Sequence, residues 1–428
     1  MKQYDSYKDS GVEWIGEVPS HWEIVPLKFT GEFGNGLTYS PKDVVDYGIL
    51  VLRSSNIQNS SLSFEDNVYV SNVSKALLVH KGDVIICSRN GSAALVGKSA
   101  FIDKDINATF GAFMMRYIPK INKKYGFYLF QTAIGRYKGY FATTTINQLT
   151  KCTIGEMKVP LANTEEQTAI VDFLDKKCSE IDNVISAQQK RIALLQELKQ
   201  SVITHAVTKG LDPNVEMKDS GVEWIGEVPK HWDVMKTSLA FQGIGSGTTP
   251  STSKKEFYDE EGKYWLQTGD LNDGVILGTS KKVSDIAIKV CNLKFYPKDS
   301  VVIAMYGATI GKVGILGIKT ATNQACCVLP ANNHMVAKYS FYEFLACKPA
   351  LLVSAIGGGQ PNISQDTIRK QKIAVPPVEE QKMIADYLGK KCVSIDSSIS
   401  KAQHQVDLLQ EYKQSLITEV VTGKRKVC

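Results

Sequence analysis

The chain has 428 residues, 43% of them hydrophobic and 22% charged, and a formal net charge of +6, an ordinary globular composition with room for two or three domains, each with its own core. No apolar run approaches the roughly 18 residues of a membrane span, and MKQYDSYKDSG at the start lacks the apolar core of a signal peptide. The nine cysteines are odd in number and include no C-x-x-C pair, so reduced thiols in a cytoplasmic setting are expected.

The first element is a short tryptophan motif. KDSGVEWIGEVPSHWEI at 8–24 returns as KDSGVEWIGEVPKHWDV at 218–234. Trp14, Trp22, Ile15 and Val18, matched by Trp224, Trp232, Ile225 and Val228, read as a small apolar element that docks on a globular body. His21 and His231 read as packing residues beside the second Trp. Residues 25–158 then alternate short β-rich runs, at 49–52, 68–70, 84–87, 94–96 and 112–117, with Gly, Asn, Asp and Ser. A helical, aromatic stretch at 123–141 and a strand at 157–161 complete this first body. Residues 235–374 repeat the order, with strands at 264–266, 300–303, 314–316, 325–329 and 373–375 and a helix at 337–346. Weak echoes relate the bodies, among them Leu52-Arg53-Ser54-Ser55-Asn56 with Leu266-Gln267-Thr268-Gly269-Asp270, and Ala108-Thr109 with Ala321-Thr322. The bodies carry +7 and +6, which leaves −7 for everything else. Basic bodies on an acidic frame point to a bound polyanion.

After each body comes a long Pro-free stretch. Residues 165–208 and 379–422 align without a gap at an offset of 214 and are identical at 25 of 44 positions. Their apolar residues fall on a heptad seam. In the first copy the seam runs through Leu174, Cys178, Ile181, Ile185, Ile192, Leu195 and Val202; in the second, through Leu388, Cys392, Ile395, Ile399, Val406, Leu409 and Leu416. Thr164 with Gln167 suggests a capping box in the first copy, Pro376-Pro377 a rigid approach in the second, and Gly210 and Gly423 the two stops. Two matched seams in one chain each need a partner. The expected fold is mixed α/β (α+β): two related globular domains and two long helices that pair as an antiparallel coiled coil, a pseudo-twofold duplication. Its segments are 1–160, 161–210, 211–376 and 377–428.

Catalytic and metal motifs are missing. Gly97-Lys98-Ser99 lacks P-loop spacing, and no Asn-Pro-Pro-Tyr, H-E-x-x-H, G-x-S-x-G or zinc spacing occurs. Asp172, Asp175 and Lys177 read as a solvated helix face. The bodies do hold polar loop clusters able to reach phosphate or base edges. In the first body these are Arg53, Ser54, Asn56, Arg89, Asn90, Ser92, Lys98, Thr143, Thr144 and Thr145; in the second, Gln267, Thr268, Tyr306, Thr309, Lys312, Gln360 and Asn362. Lys98 and Lys312, in Gly-rich loops, are the candidates for backbone contact. A repeat-built protein scaffold without DNA binding is the competing reading, which the basic bodies disfavour.

The order of D-S-G-V-E-W-I-G-E-V-P-x-H-W, variable body, E-E-Q-x-x-I-x-x-[FY]-L-x-x-K-x-x-x-I-D and L-L-Q-E-x-K-Q-S-x-I-T, given twice, resembles the DNA specificity subunit of type I restriction–modification systems over nearly the whole chain. The resemblance implies that each body is a target recognition domain for one half of a split site in double-stranded DNA, and that the helices set the gap between halves. It implies two methyltransferase subunits and restriction subunits as partners. S-adenosylmethionine, ATP and Mg would be bound by those partners, and this chain would carry no catalytic activity and no cofactor of its own. A bacterial or archaeal cytoplasm is the implied setting.

Overall fold

In the computed structural model, residues 3–137, 148–353 and 362–427 are described. They form two compact units, 1–187 with 405–428, and 188–404. Each unit holds one body and a stretch of both long helices.

In the first unit, a four-stranded antiparallel sheet runs in the order Ser99–Phe101, Val84–Cys87, Met114–Pro119, Gly31–Asn35. A second sheet sets Ala108–Phe110 parallel to Ile49–Leu52, followed by Tyr69–Val70 and Val44–Val45. Val84-Ile85-Ile86-Cys87 has no polar alternation because both of its faces are covered. Val84 and Ile86 join the core under the aromatic helix, while Ile85 and Cys87 join the core of the second sheet. The second unit repeats the division with Val301 and Ile303 on one side of their strand and Val302 and Ala304 on the other. The strands that carry the echo between Ala108-Thr109 and Ala321-Thr322 correspond, Thr320–Thr322 lying parallel to Tyr258–Leu266 as Ala108–Phe110 lies to Ile49–Leu52. The echo itself is one residue out of register: Thr109 faces Val51 and Ala321 faces Trp265, so Ala321 matches Thr109 and Thr322 matches Phe110.

The aromatic helices, Lys123–Tyr137 and Ala337–Val353, carry a further repeat, not expected from the order of elements. Lys124, Tyr125, Phe127, Tyr128 and Phe130 recur as Lys338, Tyr339, Phe341, Tyr342 and Phe344, again at an offset of 214. Tyr125, Phe130, Tyr339 and Phe344 are fully buried, and each such ring stabilises by roughly 2–3 kcal/mol through the apolar area it hides.

One exchange between the copies is compensated. In the first unit the Tyr125 hydroxyl donates to the Pro160 carbonyl at 3.2 Å and accepts from the Ala162 N–H at 3.3 Å. Pro160 has no N–H to satisfy, and the neighbouring helix position is Leu129, fully buried. In the second unit the proline moves: Ala374 stands where Pro160 does and Pro376 where Ala162 does. The Ala374 N–H now needs an acceptor, and Glu343, at the place of Leu129, takes it at 2.8 Å. Tyr339, which donates to the Ala374 carbonyl at 3.0 Å, lies 3.3 Å from the other carboxyl oxygen of Glu343. Burial pushes the Glu343 carboxyl up to about 8, so at neutral pH it is mostly protonated and donates to Tyr339.

The long helices are Thr164–Lys209 and Val378–Val421. Every expected seam residue is buried or half-buried. Within the first unit, Asp182 pairs with Lys413 at 2.7 Å, and Phe173, earlier on its helix, lies under Arg425, just beyond the second helix. Ascending on one helix descends on the other, so the pairing is antiparallel. The second unit holds the same ion pair with the copies exchanged, Lys199 to Asp396 at 2.7 Å. Lys199 and Lys413, which stand at matched places on the two seams, thus each reach an aspartate of the opposite helix.

Three expectations change. The stretch at 94–96 is part of a 3-10 turn, Ala93–Leu95, and the strand begins only at Ser99. The first long helix is capped by Asn163, whose side chain accepts from the Glu166 N–H at 2.9 Å; Gln167 instead bonds the Ala162 carbonyl and the Asn122 N–H. Asp175 is not a merely solvated helix face: it accepts from Tyr128 at 2.7 Å and from Lys124 at 2.8 Å. No described helix is long and apolar enough to cross a membrane.

Candidate nucleic-acid interface

The Trp motifs anchor each body to its frame. Trp22 Nε1 donates to Glu166 at 2.9 Å and the His21 ring lies 3.0 Å from the same carboxylate. Trp232 and His231 hold Glu380 in the same way, at 2.8 and 2.6 Å. The histidines are thus bonded to the first turn of a long helix, beyond simple packing. E-E-Q recurs because its second glutamate holds the Trp motif and its glutamine holds the body. In the second unit Gln381 bonds the Val336 N–H and the His334 and Pro376 carbonyls. The frame is repeated at the residues that clamp a body, and the loops above them differ.

On those loops the structure brings several of the polar candidates together as matched hairpins. In the first body the Gly97 N–H donates to the Cys87 carbonyl and the Cys87 N–H to the Lys98 carbonyl, both at 2.8 Å. In the second, Gly311, Ala304 and Lys312 make the same two bonds at 2.9 Å. Gly97 and Gly311 have φ of +85° and +74°, a left-handed conformation that admits glycine without steric cost. Lys98 and Lys312 therefore stand at equivalent places at the base of their loops, both half-buried. Among the described residues neither forms an ion pair. Ser99 opens a strand and no helix, which removes the geometry of a P-loop.

Around the first hairpin, Arg89 stacks 5.3 Å from the centroid of Phe113, a ring 60% exposed, and its backbone bridges Gln148. Asn90 donates to Ser54 at 3.2 Å and accepts from the Ser92 N–H at 3.0 Å. Ser54, Arg89, Asn90, Ser92 and Lys98 thus come from neighbouring loops. Around the second hairpin, Tyr306 bridges Asn362 as Arg89 bridges Gln148, and the Lys312 N–H donates to the Thr309 carbonyl at 3.0 Å. Gln267 and Thr268 occupy the turn that matches Arg53 and Ser54: the Gln267 N–H bonds Asp270 and the Arg53 N–H bonds Asn56, each at 2.9 Å.

Two candidates are committed internally. Asn56 is fully buried and its amide donates to the Ser63 and Asp66 carbonyls, so it holds its own loop closed and presents nothing to a ligand. Arg53 pairs with Asp66 at 2.7 Å, and its hydrogen bond keeps that carboxyl below the ordinary range. Thr143, Thr144, Thr145 and Gln360 lie outside the described residues. No group of metal-ligating side chains occurs among the described residues. Burial pushes the Cys327 thiol up to about 12 and raises that of Cys326 as well, which makes both poor nucleophiles.

The frame also exposes matched apolar residues off the seam. Leu194 and Leu198 on the first long helix and their equivalents Leu408 and Tyr412 on the second are each about half or more exposed. Their i, i+4 spacing puts each pair on one helix face.

The family model for the type I restriction modification DNA specificity domain matches twice, at 19–194 and 229–397. A protein of Methanocaldococcus jannaschii named for the type I restriction enzyme MjaX specificity subunit is 27% identical, covering 96% of this chain and 96% of the relative. The EcoKI specificity subunit of Escherichia coli K12 is 21% identical over 96% of this chain and 90% of its own. A solved structure described under complex assembly and conformational transition of the type I R-M system superposes with a TM-score of 0.70 at 15% identity, covering 94% of this chain and 98% of that one. Two matches of one family model, one to each body with the first part of its long helix, make this chain a member of the type I restriction modification DNA specificity family.

Proposed function

We propose that the chain is the DNA-reading subunit of a type I restriction–modification complex, each body contacting one half of a bipartite site in duplex DNA. The observation that carries this reading is the recurrence of one polar hairpin, with Lys98 or Lys312 at its base and Arg89 or Tyr306 on it, on two basic bodies whose remaining loops differ. Contacts to the DNA phosphates position such a protein, and loop side chains that reach base edges select sequence. The chain itself has no catalytic role in this reading. Two methyltransferase subunits with S-adenosylmethionine, and restriction subunits with ATP and Mg, would supply the chemistry in a bacterial or archaeal cytoplasm. Leu194 with Leu198 and Leu408 with Tyr412 give the frame equivalent apolar patches on which a methyltransferase subunit would dock.

Replacing residues 25–158 with the matching body of a relative tests the reading. Methylation-site mapping with the partner subunits should find one half-site changed and the other kept; a change in both would overturn independent reading.

A second expectation concerns Lys98. Lys98→Ala should weaken binding to all duplex sequences alike and lower the slope of log K against log salt by about one. An unchanged slope in a salt titration would take Lys98 out of the interface.

A further inference from the structure

The two units differ at one clustered group. In the first, Asp175 of the long helix bonds Lys124 at 2.8 Å and Tyr128 at 2.7 Å, both from the aromatic helix. In the second, the lysine and tyrosine are kept as Lys338 and Tyr342, and the position of Asp175 is Gly389. Gly389 lies inside a continuous helix, where glycine is among the poorest residues, and its backbone does not require it. A Cβ built there meets only the Tyr342 hydroxyl, at 3.9 Å. A Cβ is therefore sterically admissible, and neither crowding at that atom nor conformation accounts for the glycine.

The place of the aspartate side chain opens onto a cavity of about 760 Å³. Gly389, Lys338, Tyr342, Lys390, Leu345 and Val275 are part of its wall. Its other charged groups are largely matched: Lys199 bonds Asp396 at 2.7 Å, and Lys348 lies 3.8 Å from Asp273. Asp386 also lines it. Among the described residues, no carboxylate lies within ion-pair distance of Lys338 or Lys390. Burial pushes the Tyr342 hydroxyl up to about 12, so it remains a donor at neutral pH.

We propose that this cavity binds the carboxylate of a small organic acid, whose oxygens bond Lys338 and Tyr342 as those of Asp175 bond Lys124 and Tyr128. Lys390, also part of the wall, adds positive charge, and Leu345 and Val275 give an apolar surface for a short carbon skeleton. The inference is independent of DNA binding, because it rests on the comparison of two copies of one arrangement.

Formate is the probe, since it is little more than the missing carboxylate. Thermal unfolding of the full chain is followed while formate replaces chloride at constant ionic strength. The wild-type midpoint should rise and saturate, by about 3 °C at ten times the dissociation constant. Gly389→Asp should raise the midpoint in chloride and abolish the formate response. Gly389→Ala, which changes helix propensity alone, should raise the midpoint and retain the response. Lys338→Met should lose the response without mimicking Gly389→Asp. A wild-type midpoint that does not rise above its value in chloride, or a rise of equal size in Gly389→Asp, would overturn the proposal.

Discussion

Glu343→Gln is expected to flatten the pH dependence of the second unit and to stabilise it on the order of 4 kcal/mol at pH 8. The carboxyl has a folded pKa of about 8 against an ordinary 4.5. The folded state therefore holds a proton that the unfolded chain has released. The stability tied to this group is fully present below about pH 4.5, falls as pH rises, and levels off above about pH 8. Glutamine keeps both contacts: its carbonyl accepts from the Ala374 N–H and its amide donates to Tyr339. Glu343→Leu copies the first unit's Leu129 but strands the Ala374 N–H, so it should be less stable than Glu343→Gln by about 2 kcal/mol. Adding Ala374→Pro, which removes that N–H as Pro160 does in the first unit, should close most of the gap. Hydrogen-exchange protection of peptides from 188–404 reads all four proteins at several pH values. A gap that survives Ala374→Pro would mean that the stranded N–H is not its source.

The second large effect is geometric. If the helices set the separation of the half-sites, seven residues inserted after Ser186 and seven after Ser400 should move the half-sites apart without changing their sequence. The insertions keep the heptad phase and lie between the two ion pairs, Asp182 with Lys413 and Lys199 with Asp396. They lengthen the helices by about 10 Å, or about three base pairs at about 3.4 Å each. Three base pairs also turn the duplex by nearly a third of its roughly 10.5-base-pair repeat, so binding should weaken as well. Methylation at the original spacing by a folded variant would show that the helices are not the ruler.

The frame is legible in the sequence because its constraints are periodic or duplicated. The seam follows from the positions of Ile181, Ile185, Leu388 and Cys392, and the 214-residue offset needs only counting. The same offset, carried into the bodies, finds Lys124 to Phe130 again at Lys338 to Phe344. Strands such as Gly31–Asn35 and Ala108–Phe110 escape a reading by pattern because they are short and their partners lie far along the chain. The capping residue is displaced by one because Asn163 and Thr164 are both good caps, and only the contacts of Gln167 decide between them. In the candidate interface, composition does not separate Asn56, sealed inside its loop, from Asn90, which joins two loops. That difference is tertiary, made by Ser63 and Asp66.

The make-up of the first unit bears on the order of events during synthesis. The second unit is one unbroken stretch, 188–404, whereas the first is completed only by residues 405–428. The first body leaves the ribosome early, yet the helix stretch bearing Val406, Leu416 and Val420, which covers Ile181 and Ile185, is translated more than two hundred residues later. At about 5–20 residues per second, that apolar stripe stays open to water for tens of seconds. The second unit can close first although it starts later. A nascent chain of this design has a long period of exposure to chaperones and to aggregation, and slowing translation between the two helices should lengthen it.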